Sequence, residues 1–122
     1  MIRTLAWILI SACTTATIYN AEPSQTNSEP TITASRRVID TDRVADLRIV
    51  AMERTMMARH GIAYGDTILV KGTGVYDGEW VVEDTMNRRF AGQDKIDFLV
   101  PAEVRTGRWD NVEVYKKSVS RK

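Results

Sequence analysis

Residues Trp80–Val100 read WVVEDTMNRRFAGQDKIDFLV, two β-rich runs joined by a polar connection containing Gly92. Each run carries an aspartate, Asp84 closing the first and Asp97 interrupting the second, although aspartate is depleted in strands. Side chains alternate between the faces of a strand. That alternation predicts Trp80, Val82 and Asp84 on one face, with Val81 and Glu83 on the other. In the second run Ile96, Phe98 and Val100 line the core, and Asp97 and Leu99 point away from it.

Working outward, VYDGEW places Asp77-Gly78 between β-rich arms, a strong short-range hairpin signal. GDTILVKG is a strand entered through Gly65, and RIVAM a short apolar one. ERTMMARHG predicts one or two helical turns stopped by Gly61. Ser35–Leu47 shows no clean period and reads as loop with short turns; TITAS (31–35) is a brief strand. Thr14–Asn20 is rich in Thr and Ile and predicts a strand, and Ala21–Pro30 a loop. Pro101 opens a short helix closed by Gly107, WDNVEVYK is the last strand, and residues 117–122 form a frayed tail. Six or seven short strands with one or two small helices predict a mainly-β barrel over residues 14–116.

Composition narrows the function classes. The 122 residues suffice for one core. Lys plus Arg number 17 against 16 Asp plus Glu, so no basic excess points to nucleic acid. One cysteine and one histidine give no Cys- or His-based metal site, and no cofactor is implied. Residues 1–13 run from charged to apolar to small, the order of an export leader. Ile10–Cys13 has the form of a lipobox, which makes Cys13 a lipidation candidate, attaches the chain to a membrane through its N-terminus and places it in the cell envelope. The alternative is a soluble chain whose uncleaved first strand buries the Cys13 thiol.

A carboxylate beside apolar neighbours is partly desolvated, which raises its pKa toward the range of a general acid. Equally, Asp84 fits a turn cap and Asp97 an outward polar residue. Met52, Met56, Met57 and Met86 read as core fillers, and His60 as a surface residue at a helix end. Arg88 and Arg89 lie between the aspartates, where a guanidinium suits a carboxylate, and a solvated loop charge is the plainer account of at least one of them.

The order VVEDTMNRR, KIDFLVP and TGRWDNVEVY resembles the three-aspartate domain of bacterial cell-wall proteins, a double-psi β-barrel similar to the catalytic core of membrane-bound lytic transglycosylase A and to rare lipoprotein A. The matching positions are Asp84-Thr85, Gly92, Ile96-Asp97-Phe98, Gly107 and Val112-Glu113-Val114, with Thr17 and Tyr19 in an early T-x-Y strand and Thr33-Ala34-Ser35 in a T-A-S string. The chain departs at Glu53, where the family has aspartate, and at Met86–Arg89, where it has a glycine pair. The resemblance implies a six-stranded double-psi barrel acting on peptidoglycan glycan strands, with Asp97 as acid, Asp84 as its partner and Glu53 orienting the site. It leaves Tyr19, Thr33, Thr85, Arg88 and Trp109 as substrate contacts. The alternative is a non-catalytic module binding glycan or an envelope or virion protein.

Overall fold

A computed structural model describes residues 5–20, 32–40 and 43–119. These form six strands: β1 (Leu5–Asn20), β2 (Ile49–Met52), β3 (Thr67–Lys71), β4 (Gly78–Thr85), β5 (Lys95–Val100) and β6 (Arg108–Val119), with two short helices, α1 (Val44–Leu47) and α2 (Arg54–His60). The strands close into a barrel in the order β1-β5-β2-β4-β3-β6. The pairs β1/β5 and β2/β4 are parallel and the other four antiparallel. The mainly-β barrel with short helices expected from the strand pattern is therefore the fold.

Alternation fills the interior. Val50 and Met52, Ile68 and Val70, Trp80 and Val82, Ile96 and Phe98, and Val112 and Val114 form one buried cluster, with Met56, Met57 and Ile62 of the α2 region packed at it. Phe98 packs against both Trp80 and Tyr76, at ring-centroid distances of 4.5 and 5.4 Å. Burying one such side chain contributes about 2–3 kcal/mol. A second, smaller cluster covers the outer face of β2 and β5. It contains Ile39, Val44, Ile49 and Leu99, with Tyr19 and Leu47 against it. A barrel of this size would expose that face to water; the segment around α1 shields part of it.

Helix α2 follows its local signals. The Glu53 side chain caps its N-terminus, accepting from the Thr55 and Met56 amides, and Gly61 ends it in a left-handed conformation at φ 66°. The four methionines are buried as expected.

Other elements depart from the sequence reading. Residues 5–13, expected as a leader or a first strand, lie with 14–20 in β1, and Cys13 is exposed, so the buried-thiol alternative is wrong. Residues 117–119 are not frayed, since Leu5–Trp7 pair with them; 120–122 lie outside the described residues. The hairpin at Asp77-Gly78 joins β3 and β4 through 72–77, and Val75 and Tyr76 belong to its loop. Its Asp77 carboxylate ties Thr73 through amide and hydroxyl at 2.7 and 2.8 Å. TITAS gives only a bridge from Ile32 to Val38, with Thr31 outside the described residues. Part of 35–47 is helical, as α1.

Pro101 opens a turn and not a helix. The buried Asn20 amide donates to the carbonyls of Val100, Pro101 and Val104 at 3.2, 2.9 and 3.1 Å, taking acceptors that a helix would use internally. His60 is partly buried rather than fully on the surface, and among the described residues its Nε2 has no hydrogen-bond partner.

Candidate functional site

The site begins with an irregularity in β4. Val50 pairs with Val82, but the next residue of β2, Ala51, pairs with Asp84. Glu83 is the extra residue of a β-bulge, which re-aims the side chain after it. Strict alternation would have put Asp84 inward with Trp80 and Val82; the bulge turns it outward. Ala51 pairs on its other side with Asp97, and Asp97 with Thr17. Thr17, Asp97, Ala51 and Asp84 thus form one row across β1, β5, β2 and β4 on the outer face. Two inter-strand spacings put the aspartate Cα atoms ~10 Å apart, with only the methyl of Ala51 between them.

Each carboxylate has its own holders. Thr17 Oγ1 donates to Asp97 Oδ1. Asp84 Oδ1 accepts from the Ala34 and Thr85 amides, both at 3.1 Å. The Tyr19 hydroxyl donates to Asp84 Oδ2 at 3.2 Å, its ring lying over the second cluster. Burial pushes the Asp97 carboxyl up to about 6; the Thr17 bond and the Lys95 charge oppose this, and the Asp84 charge adds to it. Burial also raises Asp84, against the Ala34, Thr85 and Tyr19 bonds and the Arg54 charge. The Tyr19 hydroxyl is raised by burial and then by Asp84, with Asp97 adding to it, so it remains a donor at neutral pH. The result is one carboxyl that stays protonated further up the pH scale, beside a second carboxylate and a hydroxyl.

The remaining candidates divide. Thr85 supports Asp84 through its amide, and Thr33 shapes the loop carrying Ala34, its hydroxyl accepting from the Arg37 amide at 3.0 Å. Glu53 is almost fully buried. Burial raises its carboxyl, but bonds from Thr55, Met56 and Gly92 outweigh this and hold it below the usual range. Its oxygens are engaged by Thr55 and Met56 at 2.6–2.9 Å. Thr55 Oγ1 in turn accepts from the Gly92 amide at 3.1 Å. Glu53 therefore anchors the connection between the two aspartate strands and does not join their row.

Trp109 pairs with the buried Ala16 and packs edge-on to Tyr76 at 5.4 Å, on the barrel side away from Asp97. Arg88 is exposed in a 3-10 turn (Arg88–Phe90). Cys13 lies in β1 beyond the β5 pairing that starts at Thr15. A trough of about 450 Å³ opens elsewhere, lined by Ile62, Asp66, Thr67, Lys116 and Lys117 among others, and none of these belongs to the row.

Lys95 went unmarked in the sequence, although period-two spacing puts it on the same face as Asp97. Thr17, noted there only for the resemblance, meets Asp97 through a parallel register that no local signal encodes. Among the described residues no group of three His, Cys, Asp or Glu side chains could hold a metal ion, and no helix is long and apolar enough to cross a membrane. No protein-family model matches the chain, and no curated protein matches it significantly.

Proposed function

We propose that this is a peptidoglycan-directed barrel of the double-psi type that cleaves the β-1,4 bond between N-acetylmuramic acid and N-acetylglucosamine in the manner of a lytic transglycosylase. The observation carrying this reading is the outer row in which Asp97, with its raised pKa, stands across Ala51 from Asp84. Protonated Asp97 gives its proton to the bridging oxygen as the C1–O bond breaks, and positive charge develops on the muramyl ring. Asp84 stabilises that charge, and Tyr19 and the Ala34 and Thr85 amides hold it in place. The muramyl 6-hydroxyl then attacks C1, closing a 1,6-anhydro ring, and Asp97 takes its proton. The proton donated first is thereby recovered, and no water is consumed. Glu53 acts at a distance, through Thr55 and Gly92, as a positioning residue.

Mass spectrometry of peptidoglycan incubated with the protein tests this. Anhydro-muropeptides are expected from the parent and absent with Asp97→Asn; reducing-end products or none overturn the proposal. A second reading is favoured by one observation: three protein donors already engage Asp84, as they would in a non-catalytic module that binds glycan or an envelope or virion protein. Retention on glycan without products distinguishes it. Export to the envelope, with or without lipid on Cys13, belongs to the same proposal and is tested by the intact mass of the membrane fraction.

A further inference from the structure

The bulge that turns Asp84 outward leaves Glu83 outside both ladders of β4, whose described pairs skip it, as the extra residue of a bulge is skipped. Its polar groups are used instead by the turn at residues 33–37. The Ser35 amide donates to the Glu83 carbonyl at 3.0 Å, and the Arg37 guanidinium donates to Glu83 Oε2 at 3.1 Å. The next residue of β4, Asp84, accepts the Ala34 amide at 3.1 Å. One turn therefore holds both the bulged residue and the carboxylate that the bulge re-aims.

The turn is also tied to itself. The Thr33 amide donates to the Arg37 carbonyl and the Arg36 amide to the Thr33 carbonyl, both at 2.9 Å. The Arg37 amide donates to Thr33 Oγ1 at 3.0 Å, and Arg36 sits in the left-handed region at φ 72°. Beyond it the chain enters the second apolar cluster at Ile39. A turn cross-bonded in this way shifts as a body, so its seating on Glu83 decides where the Ala34 amide stands against Asp84. The Glu83 side chain is 14% exposed, which screens its ion pair with Arg37 less than a pair open to solvent.

We propose that Arg37 is a positioning residue, whose ion pair with Glu83 seats the turn at 33–37 on the bulge and so holds the Ala34 amide on Asp84. A bond from an amide to a carboxylate favours its ionised form and fixes its direction. Under the cleavage reading, both are what Asp84 needs to stabilise charge on the sugar. The effect on turnover rests on that reading; the seating rests on the fold alone.

NMR of the full-length protein tests this by following the Ala34 amide and the Asp84 carboxyl across pH. An amide proton bonded to a carboxylate moves as that carboxylate titrates, so in the parent the two signals are expected to share one midpoint. In Arg37→Met the Ala34 amide is expected to stop following Asp84 and to exchange with solvent about tenfold faster, while the Asp84 midpoint moves up. Arg37→Lys keeps a cation for Glu83 and is expected to retain the parent behaviour. An Ala34 amide that ignores Asp84 in the parent overturns the proposal without any variant. So does one that still follows Asp84 in Arg37→Met, or that is lost equally in Arg37→Lys. Peptidoglycan digestion separates this from the cleavage reading, under which Arg37→Met lowers kcat about threefold or more with KM unchanged. Arg37-dependent coupling of Ala34 to Asp84 without anhydro-muropeptides from the parent keeps the seating and removes cleavage. Products from the parent with coupling independent of Arg37 do the reverse.

Discussion

Asp97 holds its proton further up the pH scale because its burial, beside the second apolar cluster along β5, outweighs the Thr17 bond and the Lys95 charge that favour the ionised form. Its carboxyl is raised from 3.8 to about 6, so the folded chain binds a proton that the unfolded chain has released. Stability therefore falls as pH rises between about 4 and 6, and the loss is complete above that window. Asp97→Asn is expected to gain on the order of 2 kcal/mol over the parent at pH 8 and nothing near pH 3, read from urea unfolding at the two pH values. Equal stability at pH 8 contradicts it. Under the cleavage proposal, that gain is the usual trade between stability and activity. Glu53 has the opposite sign. Its depressed carboxyl contributes stability above the unfolded value of 4.5 that is lost as pH falls through the folded one. Glu53→Ala leaves buried amides of α2 unpaired and is expected to cost about 2–3 kcal/mol at pH 7, seen as a lower urea midpoint. A midpoint within a few tenths of a kcal/mol of the parent refutes the capping role.

Elements were legible where their cause was local. The run ERTMMARHG with its stop at Gly61 marks α2 within nine residues, although the capping role of Glu53 shows only in the structure, and the alternation in KIDFLV specifies β5 and the outward placing of Asp97. Two elements escaped because their causes lie far along the chain or break the pattern. The bulge at Glu83 leaves no mark in WVVED, yet it decides which face carries Asp84; the same five residues in unbroken alternation would bury it. The turn after Pro101 has the composition of a helix start, and it is Asn20, some 80 residues earlier, that claims its carbonyls. Asn20→Ala is accordingly expected to destabilise the barrel by about 2 kcal/mol and to speed amide hydrogen exchange in 101–106 selectively. Unchanged exchange there would show that the turn holds without Asn20.

Across the whole molecule, closure depends on β1, the strand that joins β5 to β6. Its pairing with β5 uses Thr15–Asn20, and its pairing with β6 continues out to Leu5. A chain beginning at Cys13 keeps every β5 pair and those of Thr14, Ala16 and Thr17 with β6, while losing Ile10 from the edge of the core and the Ser11 bond to Asp94 at 2.8 Å. It is expected to unfold in one cooperative step with Tm lower by about 10 °C, on the order of 2 kcal/mol. A chain without a cooperative transition would contradict this closure. The barrel as a whole was readable from strand spacing, whereas the neighbours of each strand were not, since parallel pairs such as β1/β5 join segments that no turn connects.

Cleavage by this route requires Asp97 and Asp84 in one site, with Asp97 keeping its proton up to about pH 6. Carbon-detected NMR titration of the two side-chain carboxyls measures this directly. A midpoint near 6 for Asp97, shifting down in Asp84→Asn, is expected. An Asp97 midpoint below about 4.5, unmoved by Asp84→Asn, would contradict it.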